Sequence, residues 1–150
     1  MTELFKDHSQ KQKTEYKVDA ETAKQEIENI EEEFGGLTEE QNTIFLDAIM
    51  RGNLVFDSED SSLKYKLEKP VGSLKEIVFP EPTAMQLQEI SRGDNVTTDK
   101  KGEVKVNLKK MSIDKCLLFL HKICGCKVTE INEIKKRDFG VLVAITDFLS

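Results

Sequence analysis

Leu54-Val-Phe-Asp-Ser-Glu-Asp-Ser-Ser-Leu-Lys-Tyr-Lys-Leu-Glu-Lys-Pro70 is the stretch that decides the fold. Leu54-Val-Phe56 is a short apolar run that reads as a strand. Asp57 to Ser62 is wholly polar and reads as a turn. Leu63, Tyr65 and Leu67 then alternate with Lys64, Lys66 and Glu68, which is the period of a half-buried strand. The two runs predict a β-hairpin, ended by Pro70 and Gly72 because proline lacks the N–H that a ladder needs. Ile77-Val-Phe79 is a third candidate strand, stopped by Pro80 and Pro82.

Helical signals lie on both sides. Upstream, Ala20, Ala23, Ile27, Ile30 and Phe34 recur every three or four residues, one stripe on a helix closed by Gly35-Gly36. Thr38 followed by Gln41 is a capping box, and Ile44, Phe45, Ala48 and Ile49 supply the apolar face behind it. Downstream, Thr83 and Gln86 form a second capping box, opening a short helix through Leu87 and Ile90. Residues 91–102 read as a polar loop, and Val104, Val106 and Leu108 as a lysine-bearing edge strand. Ser112 is expected to cap a helix from Ile113 to Cys124, ended by Gly125. Val128 to Ile134 predicts a helical turn, and a last helix follows from about Lys135 to Leu149. The fold expected is α+β: a small β-hairpin or short sheet with several packed helices, mainly helical toward the C-terminus. The organisation expected is a flexible tail over 1–18, an acidic helical extension over 19–52 and an α+β domain over 53–150.

Composition narrows the function classes. Charged residues make up 33% and apolar residues 38%, and no apolar run approaches the ~20 residues needed to span a bilayer. Met1 to Lys17 is polar throughout, so the chain is expected to stay in the compartment that makes it. Residues 1–60 carry 6 Lys/Arg against 16 Asp/Glu, whereas residues 99–137 carry 11 against 5. That asymmetry supports solubility and attraction between the halves. A nucleic-acid surface on the basic stretch is disfavoured, since Phe119 is its one aromatic and no binding motif surrounds it.

No nucleophile elbow, phosphate loop or dinucleotide fingerprint is present, and the chain reads as a non-enzyme without a cofactor. His121, Cys124 and Cys126 offer three soft ligands within six residues, but the second pair of a structural zinc site is missing. Cys116 and Cys124 are expected as small core hydrophobes and Cys126 as a free thiol near a helix end.

The informative feature is an excess of apolar residues in the last two helices. A stripe of Ile113, Cys116, Leu117, Leu120 and Cys124 leaves Leu118 and Phe119 outside it. The last helix is apolar almost all round. Such a helix either forms the centre of the domain or keeps a second face for a partner. The second reading makes Leu118, Phe119, Val141, Ile145, Phe148 and Leu149 the candidate partner-binding residues, through which the protein would bind a client or self-associate.

Leu63 to Pro70, then Ile77-Val-Phe-Pro-Glu-Pro-Thr-Ala-Met-Gln-Leu87, with Asp138 near the start of the last helix and Phe148-Leu149 near its end, resembles the Mu-like phage tail assembly chaperones. The resemblance covers roughly residues 54–149, and Glu81-Pro82-Thr83 is its most specific piece. It implies a protein of the host cytoplasm that coats the tape measure protein, helps tail tube subunits polymerise around it and is absent from the finished virion. The alternative is a structural component of a phage tail or contractile injection particle.

Overall fold

A computed structural model describes residues 16–91, 96–98, 104–106 and 108–150. The chain is α+β, with a short antiparallel sheet and a helical C-terminal part. In order come α1 (Ala20–Phe34), α2 (Glu39–Met50), β1 (Leu54–Asp57), β2 (Ser62–Val71), β3 (Leu74–Pro80) and α3 (Ala84–Ser91). Then follow β4 (Val96–Thr98), β5 (Val104–Val106), α4 (Leu108–Leu118), a π turn (Phe119–Ile123), α5 (Val128–Ile131) and α6 (Lys136–Leu149).

Both capping boxes form. Gln41 N donates to Thr38 Oγ1 (3.1 Å) while Thr38 N donates to Gln41 Oε1 (3.0 Å). Thr83 and Gln86 repeat the pattern at 2.9 and 3.2 Å. Asp19 caps α1 by accepting from Thr22 N at 2.7 Å.

The main sheet has the order β1-β2-β3. Strand alternation sorts its residues onto two faces. Leu54, Tyr65 and Ile77 sit opposite one another in one inward row, and Phe56, Leu63 and Phe79 in the next. Val55, Lys64 and Val78 form the matching outward row. β4 and β5 form a separate two-stranded antiparallel ribbon, so the strand expected near Val104 pairs with residues first read as loop.

Three boundaries differ from the sequence reading. β2 does not stop at Pro70 but runs to Val71, with Gly72 taking the left-handed turn at φ 58°. The β2–β3 register shifts between Lys66 and Val71, so Pro70 sits in an irregular stretch where the missing N–H costs little. α4 begins at Leu108, four residues ahead of Ser112, since Lys109, Lys110 and Met111 are good helix formers. It passes into a π turn instead of continuing as α-helix to Cys124, with Cys124 N donating to Phe119 O five residues back (3.1 Å). That wide turn breaks the 3.6-residue period on which the stripe ending at Cys124 depended. The inward line runs through Cys116, Phe119 and Leu120, and then Cys126.

One core joins all of this. Ala23, Ile27 and Ile30 of α1 and Phe45, Ala48 and Ile49 of α2 belong to the same buried cluster as Leu63, Phe79, Phe119, Leu142 and Ile145. Among the described residues, the buried side chains of 19–52 and of 53–150 form one cluster. The two acidic helices have apolar stripes, and those stripes bury against β1 and α6. The docked chain also begins before residue 19. Lys17 N and Val18 N both donate to Met50 O (2.7 and 3.0 Å), and Tyr16 OH donates to Asp47 (3.0 Å). The rest of the expected tail, residues 1–15, lies outside the described residues.

Candidate partner-binding surfaces

α6 is the centre of the molecule. It packs on α2, α4 and β2, with Leu142, Ile145 and Thr146 wholly enclosed. This placement decides where the six candidate binding residues stand. Phe119 and Ile145 are 0% exposed and Leu149 is buried, so in this fold they present no face to a partner. Phe119 packs against Phe79, ring centroids 5.8 Å apart. Leu118, Val141 and Phe148 are half-buried against the core. Phe148 meets Phe45 edge-on at 5.4 Å and Phe34 at 6.2 Å, filling the gap between α6 and the two N-terminal helices. The helix is covered on several sides, by α2, α4 and β2, and Phe34 of α1 is set against Phe148, so part of the cover comes from the residues expected as an acidic extension.

Asp138, in the first turn of α6, is 1% exposed and fully engaged. Its Oδ1 accepts from Tyr65 OH (2.8 Å) and Glu68 N (3.0 Å), and its Oδ2 from Lys69 N (3.1 Å). The irregular part of β2 leaves these backbone donors without ladder partners, and the carboxylate takes them up. Burial, then the bond to Asp138, pushes the Tyr65 hydroxyl well above its ordinary range. Around this junction Arg51 reaches Asp47 (2.8 Å) and Glu68 (2.9 Å), and Arg137 reaches Glu68 (3.5 Å). Arg51 Nε touches the Asp47 carboxylate at ion-pair distance without the alignment of a hydrogen bond.

Cysteine chemistry is muted. Burial pushes the Cys116 thiol up to about 12 and raises those of Cys124 and Cys126 as well, which disfavours the thiolate needed for metal binding or nucleophilic attack. His121 is exposed, and its Nδ1–H donates to Cys126 O (3.0 Å), closing the chain around Gly125 (φ 75°). Among the described residues no three His, Cys, Asp or Glu gather as metal ligands, and no helix is long and apolar enough to cross a membrane.

What is left for a partner lies elsewhere. The outward face of the sheet exposes Val55 (50%) and Val78 (39%) on either side of Lys64. Among the described residues, Met85 of α3 and Val128 of α5 are further exposed large apolar side chains of the folded elements. Short apolar runs mark Val55 and Val78 as strand residues, but only the register shows that they share the open face. Two grooves lie near the ends of β1. One, of about 570 Å³, is lined by Lys17, Arg51, Asn53, Lys66, Glu68 and Lys69, with Gly52 and Leu67. The other, of about 620 Å³, is lined by Glu26, Asn29, Glu32, Glu33, Phe56 and Ser58.

Compared with known protein families, with characterised proteins and with solved structures, the chain has no match.

Proposed function

We propose that this protein is a phage tail assembly chaperone, which binds the tape measure protein in the host cytoplasm and keeps its apolar helices soluble while tail tube subunits assemble. One observation carries the reading. The scattered pieces of the resemblance are mechanically joined: the Lys69-Pro70 end of β2 is held by Asp138 of α6, nearly 70 residues away in sequence. Two of the quoted pieces, the end of β2 and the start of α6, thus share one junction, which supports reading them together. The other pieces have structural work too. Thr83 caps α3, and Phe148 locks α6 onto the N-terminal helices.

The client surface in this reading is the open sheet face at Val55 and Val78, where apolar side chains flank the Lys64 stem. Coexpression with the tape measure protein encoded beside it is expected to give a soluble complex that co-elutes on size exclusion. Val55→Glu with Val78→Glu should lose the complex and keep the thermal midpoint, because both side chains already face water. Mass spectrometry of purified particles should find no trace of the chain. Its presence there in stoichiometric amount would make it a tail component and overturn the proposal.

A further inference from the structure

The two grooves carry opposite charge and stand at opposite ends of β1. Asn53, just ahead of β1, lines the lysine groove, while Phe56 and Ser58 line the acidic one. At the rise of an extended chain these ends are roughly 15 Å apart. In the lysine groove Arg51 is committed to Asp47 and Glu68, but Lys17, Lys66 and Lys69 are exposed and make no ion pair among the described residues. Glu68 in the same groove is taken up by Arg51 and Arg137, so among the described residues the three lysines are left unanswered, on a chain whose net charge is −6.

The acidic end is unanswered in a second way. Glu31, Glu32 and Glu33 lie in the last turn of α1, where the helix dipole is negative, and no basic residue accompanies them. Glu31 is occupied, accepting from Leu37 N at 3.0 Å, and Glu26 accepts from Phe56 N at 2.9 Å. Glu32 and Glu33 are exposed and unpaired among the described residues. Carboxylates at a helix C-terminus are locally unfavourable, and an incoming cation relieves them.

We propose that copies of this chain associate head to tail, the lysine groove of one receiving the acidic end of α1 of the next. Each charged surface is the complement of the other, and one molecule cannot bring its own two together across β1. A contact between two different patches is heterologous, so it repeats into a ring or an open filament instead of closing as a dimer. The proposal needs neither the tape measure protein nor the open sheet face. Loss of client binding in the Val55/Val78 variant would leave it untouched.

The test is sedimentation velocity on the full chain at low and high salt. Wild-type protein is expected to form assemblies at low salt that dissociate as salt rises, since exposed charges are screened. Lys66→Glu with Lys69→Glu should weaken association by roughly tenfold or more, and Glu32→Lys with Glu33→Lys should do the same. Mixing the two variants should restore assembly, because each then offers the complement of what the other has lost. Circular dichroism melts confirm that both variants are folded. Wild-type protein that stays monomeric at low salt, assemblies indifferent to salt, or a mixture that fails to reassemble would each overturn the proposal.

Discussion

Asp138 shows how much a single residue can hold. One carboxylate satisfies a phenol and two backbone N–H groups from a strand far away in sequence. Asp138→Ala would leave three donors unmet in a buried place, and the expected loss is about 3 kcal/mol or more in a urea denaturation series. Asp138→Asn keeps an oxygen for Tyr65 and Glu68 but turns an amide NH₂ against Lys69 N–H, so it should fall between wild type and alanine. Asp57 gives a pH-dependent counterpart. The Lys64 ammonium, 2.7 Å away, is the main reason its carboxyl is lowered to about 2, below its ordinary 3.8. A depressed folded-state value means that its contribution is fully present above about pH 4 and is lost as pH falls toward 2. In Lys64→Met the Asp57 titration, followed by carboxyl-resolved NMR, should move upward. A midpoint that stays put would assign the shift to the turn alone. Asp138 was legible as a residue near a helix start, but its role was not, because its partners come from a strand irregularity that no local pattern announces.

At the scale of elements, what reads well from sequence is what is decided locally. Each capping box closes within four residues, so Thr38 and Thr83 could be placed from side-chain chemistry alone. Thr38→Ala is expected to cost on the order of 1 kcal/mol, checked by the shift in the denaturation midpoint. What reads badly is what depends on a neighbouring element. Pro70 looked like a strand end because the β2 bulge, and the carboxylate that serves it, were invisible. The stripe on α4 was misdrawn because a π turn changes the period where Phe119 begins it. Phe148 is the clearest case. An apolar residue at a chain-end helix looked available to a partner, yet it is wedged among Phe34, Phe45 and the α6 surface. Phe148→Ala should therefore destabilise the monomer by roughly 3 kcal/mol, with Phe148→Glu worse. A Phe148→Glu protein that melts like wild type would return this residue to the surface.

At the scale of the whole molecule, α1 and α2 are part of the core and not an attachment to it. A chain beginning at Leu37 would uncover Phe148, Phe56 and the inner side of β1, and it is expected to lose cooperative unfolding in calorimetry. Retention of a sharp transition would show that α1 is separable from the core. Periodicity and end-capping chemistry were enough to determine the α+β class, the order of nearly all elements and the buried face of β2, since each depends on interactions within a few residues. Tertiary structure alone decided which apolar residues remain for a partner. Burial depends on what every other element does, and the helix that looked exposed in isolation is enclosed by α2, α4 and β2, with Phe34 of α1 set against Phe148. It alone also decided the polarity of the surface. Lys17, Lys66 and Lys69 become one groove only when β2 lies beside α2, and Glu32 and Glu33 stand at the other end only because α1 packs along β1.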